Sequence, residues 1–364
     1  PSISYGCGCA EIDEGMATAI MSKAFKNNGY STEESLGIIE FKDNISINIR
    51  AHECLLRPSH FFMYLKQDNY DHLKSLIDYY IECQRAKPEW IKCPKGQNKY
   101  DFLLEQFSID FAKTAANFED DYIFCWMDWD GDNILMDGGI IDYGSIRQFG
   151  LFHHEYRYDD VERFSTNILE QRQKARYIVQ TFEQAINFIK KKEKTSLNEF
   201  SNGNGPKQFD VTFEEQKKIN LLWKIGFSPR KTKQLIKRFP DEVLEFKKIY
   251  SYFEKAKSEI GIIKISDGIN CDVIFNMREG LRVLPQVYMS NDYNPIEAPD
   301  FLDIIKSSFI SPNELEITPQ KKQKITLFQK TYLNLIHLCA ETFQEDIADT
   351  FITCLLYTSP SPRD

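Results

Sequence analysis

The chain has 364 residues, enough for about two domains of roughly 150 residues each with a buried core. It is 42% hydrophobic and 13% aromatic, which excludes a disordered chain, and its net charge of −9 excludes a broadly basic nucleic-acid-binding surface. No run of about 18 apolar residues occurs, so neither a membrane span nor a membrane partner is expected. The sequence starts at Pro1 without an initiator Met and shows no secretory signal, and it is expected to be a fragment lacking its N-terminus. The nine cysteines are scattered, and Cys7-Gly8-Cys9 has no second Cys or Cys/His pair at zinc-finger spacing. Reduced thiols and a cytoplasmic location follow as expectations, with a mitochondrial location as the alternative in a eukaryote.

In chain order, residues 14–28 set Met16, Ala19, Ile20, Lys23 and Ala24 at helical spacing, with Gly29 where a helix C-cap belongs. Leu36 to Glu40 and Ile45 to Arg50 read as two strands around the turn Lys42-Asp43-Asn44. Ile45, Ile47 and Ile49 alternate with polar residues, the pattern of a half-buried strand. Pro58-Ser59 opens a helix carrying Phe61, Phe62 and Leu65. Asp71 to Cys83 forms another, with Leu73, Leu76, Ile77, Tyr80 and Ile81 on its apolar face. Gln84 to Gln97 reads as a loop, and Asp101 to Asn117 as a third helix with Phe102, Leu103, Phe107, Phe111 and Ala115 inward.

After Gly150 the character changes. Residues 151–200 are expected to form a helical connector, helical over 161–193, and Ser201-Asn202-Gly203-Asn204-Gly205-Pro206 reads as a linker. Residues 201–354 are expected to form a helical C-terminal region. Thr212-Phe213-Glu214-Glu215 reads there as a capping box, and further helices fall around 230–257, 297–308 and 320–350. Residues 355–364 break into a Ser/Pro tail that looks like translated adaptor sequence and are left out of the expected fold.

The chemistry-bearing stretch is Asp128-Trp129-Asp130-Gly131-Asp132-Asn133, then Ile134-Leu135-Met136, Asp137-Gly138, Gly139-Ile140-Ile141 and Asp142-Tyr143-Gly144. It reads as an acidic turn and two apolar strands joined by a Gly-Gly reversal, which sets Asn133 and Asp142 side by side at one end. Protein-kinase-like folds hold metal against nucleotide phosphates in this way, and oxygen ligands suit Mg²⁺, with Mn²⁺ as its substitute. The plainer alternative is a structural hairpin. Upstream, Arg50 and Arg57 stand seven residues apart before a helix, where their planar forks suit phosphate oxygens or ordinary surface ion pairs. His153-His154 and Trp126, Trp129 and Tyr143 read as connector and packing residues.

Residues from about 5 to 150 resemble selenoprotein O, a family of kinase-fold proteins that adenylylate other proteins. The resemblance rests on the spaced arginines, the following Phe-containing helix, the Asp-Asn turn, and an Ile-Asp-Tyr-Gly whose Asp lies nine residues beyond the Asn. It implies an α+β, protein-kinase-like fold over residues 1–150, comprising the end of an N-lobe and a C-lobe, with helical extensions. It implies ATP as substrate, with AMP passing to Ser, Thr or Tyr hydroxyls of protein partners. By position, Asp132 would accept the hydroxyl proton, Asn133 and Asp142 would ligate Mg²⁺, Asp142 would also meet the nucleotide, and Arg50 and Arg57 would hold its phosphates.

The departures are specific. The family's nucleotide loop and phosphate-neutralising Lys have no counterpart in the chain. Its Asp-Gly near the start appears as Cys7-Gly8, and the Glu that pairs with that Lys falls near Thr18, with Glu11 and Glu14 as substitutes. After Tyr143-Gly144 comes Ser145-Ile146-Arg147-Gln148 in place of a Pro and an aromatic-rich run, and the family's C-terminal redox motif is missing. Asp128 stands five residues before Asn133, the spacing of the catalytic Asp in ordinary kinases. The stretch from Asp130 to Gly144 also resembles aminoglycoside and choline kinases. A phosphotransferase with Asp128 as base is therefore one alternative, and a non-catalytic nucleotide-binding pseudokinase module is another.

Overall fold

A computed structural model describes residues 10–86, 92–121, 123–124, 130–141, 143, 147–148, 155–156, 166–254, 275–306 and 315–358. The described residues are mainly helical with one three-stranded antiparallel sheet, the α+β class expected. Two compact units are present: residues 1–119, 123–148 and 168–214 make the first, and residues 120–122, 149–167 and 215–364 the second.

In the first unit, β1 (Ala10–Glu11) leads into α1 (Ile12–Asn27), and Gly29 follows at φ 80 beyond the cap, as its position suggested. β2 (Glu34–Glu40) and β3 (Ile45–Ala51) pair antiparallel with Ile39 opposite Ile47, giving the sheet order β1-β3-β2. Asp43 and Asn44 make the turn at φ 64 and 62, a left-handed conformation that these short polar side chains tolerate.

The alternation in β3 is real, but its sense is inverted. Ser46 is buried, whereas Ile45, Ile47 and Ile49 are exposed, as are Leu36 and Ile39 of β2. The helix corrects the sequence reading for a related reason. α1 buries Gly15, Thr18, Ser22 and Phe25 and exposes Met16 and Ile20. A side chain at Gly15 would collide with the Asn48 amide, so the helix lies close against the polar side of the sheet.

The helices α2 (Pro58–Lys66), α3 (Tyr70–Arg85) and α4 (Lys99–Asp120) match the three expected helices within a few residues. Beyond α4, the two-residue strands β4 (Ile123–Phe124) and β5 (Arg147–Gln148) pair antiparallel, and in the second unit β6 (Glu155–Tyr156) pairs with β7 (Thr166–Asn167). α5 (Ile168–Lys191) then returns to the first unit's core and is no connector. Phe182 is fully buried, 6.0 Å from Phe61 and 4.3 Å from Phe107 between ring centroids. Ile178, Val179 and Ile186 join the same apolar cluster.

The expected linker at 201–206 is also ordered. α6 (Asn204–Ile225) begins inside it, and the Glu183 carboxylate of α5 accepts the Asn204 and Gly205 amides at 3.0 Å each. An anion at a helix N-terminus satisfies donors that the helix itself leaves open. Thr212, expected to cap a helix start, therefore lies mid-helix.

In the second unit, the expected 230–257 helix is two, α7 (Pro229–Arg238) and α8 (Pro240–Glu254), divided because Pro240 cannot continue a helix. α9 (Met277–Ser290) was not expected, since Pro285 lies inside it. α10 (Ala298–Ile305) follows. α11 (Pro319–Phe343) stops at Gln344 with φ 54, and α12 (Ile347–Thr358) carries the helical pattern into the segment set aside as a tail. Phe246, Phe253, Phe301, Phe328 and Tyr332 form its aromatic core. No described helix is long and apolar enough to cross a membrane.

Candidate nucleotide and metal site

The hairpin of the central motif is tighter than two three-residue strands. Ile134 bridges Ile140 antiparallel, the Leu135 amide donates to the Gly139 carbonyl at 2.7 Å, and Gly138 turns at φ 76. A three-residue loop with glycine in the left-handed position is a common way to close an antiparallel pair. The hairpin is anchored on three sides. The Ile140 amide donates to Ser31 O at 3.1 Å, the Met136 amide to Leu56 O at 3.0 Å, and Thr114 Oγ1 to Gly138 O at 3.2 Å.

At the open end of this hairpin the two arginines meet its two arms. Arg57 Nη1 lies 3.2 Å from Asp132 Oδ1, on the arm carrying Asn133. Arg50 Nη1 donates to Ile141 O at 3.3 Å, on the arm leading to position 142. Asn133 is half-buried, and Asp132 is exposed and also accepts a hydrogen bond from Ser59 Oγ at 3.0 Å. Gly131, at φ 74, rests against Pro58, the first residue of α2, where an added Cβ would come within 2.6 Å of the proline ring. Arg57 caps the same helix: its amide donates to His60 Nδ1 at 3.3 Å, and burial followed by the Arg57 charge lowers the His60 pKa, favouring this acceptor form.

Two features of this site escaped the sequence reading. Arg50 is paired with a buried carboxylate, Glu33, at 2.9 Å. Burial raises the Glu33 pKa, and the Arg50 charge and hydrogen bond offset that only in part. The second is Asp137, which accepts from Ser31 Oγ at 3.0 Å and the Gly139 amide at 3.1 Å and lies 3.4 Å from His52 Nε2. Burial raises its pKa, but the His52, Gly139 and Ser31 interactions outweigh burial and hold the carboxyl below its usual 3.8. Neither residue has a local motif, because Glu33 acts through Arg50 and Asp137 through Ser31 and His52, all distant in sequence, with only the Gly139 amide close by.

The Asp137 shift fixes a sign. A carboxyl with a depressed folded pKa stabilises the fold above its unfolded value, and that contribution is lost as pH falls through the folded value. Asp137→Asn should therefore cost about 1–3 kcal/mol at pH 7, and the deficit should shrink below roughly pH 4. Urea unfolding at pH 7 and pH 3.5 checks it; an equal deficit at both would contradict the charge argument.

Tyr143 is buried as expected: its hydroxyl meets Thr32 Oγ1 and lies 3.4 Å from the Glu33 and Ile140 carbonyls. Burial pushes its pKa up to about 12. Thr18, where a Glu partner for a strand Lys would fall, is buried, whereas Glu11 and Glu14 are exposed and bring no carboxylate to the inner face of α1. Asp128, Asp142, Trp126, Trp129, Cys7, Cys9, His153 and His154 lie outside the described residues. Among the described residues no group of three or more His, Cys, Asp or Glu side chains forms a metal cluster. The oxygen donor expected of Asn133 suits a hard cation such as Mg²⁺. Searched against family models and curated proteins, the chain finds no match.

Proposed function

We propose that this hairpin and its two arginines form an ATP site with a protein-kinase-like layout, and that the chain transfers AMP from ATP to protein hydroxyl groups. The observation that carries the reading is the convergence of Arg50 and Arg57 on opposite arms of one hairpin, through Ile141 O and Asp132 respectively. Two guanidinium forks at the end of a rigid turn suit the oxygens of a triphosphate. The resemblance to selenoprotein O supplies the direction of transfer.

On this reading a substrate hydroxyl attacks the α-phosphorus, the bond to the bridging oxygen breaks, and pyrophosphate leaves. Asp132 accepts the hydroxyl proton. Phosphate oxygens compete with Asp132 for Arg57, which frees the carboxylate as the nucleotide binds. Asn133, with Asp142, would hold Mg²⁺, which supplies charge neutralisation at the phosphates. Positioning and electrostatics carry most of such a reaction.

A specific observation favours a second reading, a nucleotide-binding module without transfer. The inner face of α1 holds Thr18 where the family has a Glu. Incubation with ATP labelled at the α- or γ-position separates the readings. Adenylyl transfer predicts protein-bound label from the α-position only, lost in Asp132→Asn. Label from the γ-position rejects it in favour of a phosphotransferase, and binding without transfer favours the module.

A further inference from the structure

We infer that Glu33 is a positioning residue that locks Arg50 in place for an anionic ligand, a nucleotide phosphate if the reading above holds. The two arginines are held in different ways. Arg57 pairs with Asp132, whose side chain is 51% exposed, so a solvent-borne anion can displace it. Arg50 pairs with Glu33, whose side chain is 3% exposed and beyond such exchange.

Glu33 is itself fixed. Its carbonyl accepts from the Tyr143 hydroxyl at 3.4 Å, and the preceding Thr32 donates from Oγ1 to Ile140 O at 3.2 Å and bridges Ile140 in parallel. The segment bearing Glu33 is thus stitched to the arm that leads to position 142. With its backbone tied down and its side chain buried, Glu33 offers Arg50 a fixed anchor. Both hydrogen bonds of Arg50 among the described residues leave from Nη1, one to Glu33 Oε1 and one to Ile141 O. Among the described residues no partner takes Nη2 or Nε of this 41% exposed side chain, and these are the donors offered to a ligand.

A pair of this kind is poorly explained as a stabiliser, since desolvating a carboxylate offsets most of what the pairing gains. Its distinctive effect is to fix one fork while leaving the other exchangeable. A phosphate would then meet a preset Arg50 and draw Arg57 away from Asp132.

The test is calorimetric titration of the intact chain with Mg·ATP and with adenosine. Glu33→Gln should weaken Mg·ATP roughly tenfold, the scale seen when a supporting partner of a ligand-binding group is removed, and leave adenosine unchanged. In an Arg50→Met background the same substitution should add nothing. Glu33→Asp, which keeps the charge but withdraws it from Arg50, should fall between and serves if Glu33→Gln does not fold. Equal weakening of ATP and adenosine, or an undiminished effect without Arg50, would overturn the inference. If Arg50→Met weakens ATP while Glu33→Gln does not, this inference fails and the site stands. A wild-type chain that binds no ATP would overturn both.

Discussion

Replacing Phe182 with alanine should destabilise the first unit by about 3–5 kcal/mol, the range for removing a large aromatic ring from a close-packed interior. Phe182 is fully buried, and its ring packs edge-on against Phe61 of α2 and tilted against Phe107 of α4. Ile178, Val179 and Ile186 on the same helix share that core, so collapse into the space left behind is limited. The effect distinguishes two architectures. If residues 151–200 were a connector, truncating one of their side chains would change stability by less than about 0.5 kcal/mol. Chemical denaturation followed by tryptophan fluorescence and by circular dichroism reads the difference. α2 begins at Pro58, against which Gly131 rests, so loosening this core should also disturb the candidate site.

A comparable loss, about 3–5 kcal/mol, is expected for Gly138→Val, from two effects that add. Gly138 sits at φ 76, a left-handed conformation that a β-branched residue strongly resists. An added Cβ would also lie 2.7 Å from Thr114 Oγ1 and 3.3 Å from the Asp110 carbonyl, and α4 backbone cannot give way as a flexible side chain would. The turn must open, which separates the arm bearing Asn133 from the arm bearing Ile141. Thermal unfolding should show the loss, and any ATP binding should vanish even where the variant remains folded. Gly138→Asn tolerates the left-handed conformation better and should lose distinctly less stability; equal losses would assign the whole effect to crowding.

The contrast between readable and unreadable parts follows from what each depends on. The Asp43-Asn44 turn and helices α2 to α4 were legible because backbone preference and the apolar period act locally. The direction in which β3 faces was not. Alternation gives two faces, and only the close seat of α1 at Gly15 determines that the polar one is covered. Ser, Asn, Gly and Pro at 201–206 suit a linker and a helix N-terminus equally, and the Glu183 carboxylate decides between them. α9 was hidden by Pro285.

The candidate site divides the same way. Asp132, Asn133, Arg50 and Arg57 stood out as residue types at telling spacings, and the hairpin brings both arginines to its open end. Glu33 and Asp137 carried no such signal. A single carboxylate becomes notable only when folding buries it against a guanidinium or gathers Ser31, His52 and the Gly139 amide around it. The acids at 128 and 142 lie outside the described residues.

On the proposed reading, Arg50 and Arg57 together hold the phosphates of one nucleotide. Titration of the Arg50→Met, Arg57→Met double variant with Mg·ATP tests it most directly. The double variant should lose about 100-fold or more in ATP affinity relative to wild type, as expected for removing two charge-assisted contacts of roughly 1.5–3 kcal/mol each, while adenosine binding is unchanged. Wild-type ATP affinity in the double variant would contradict it.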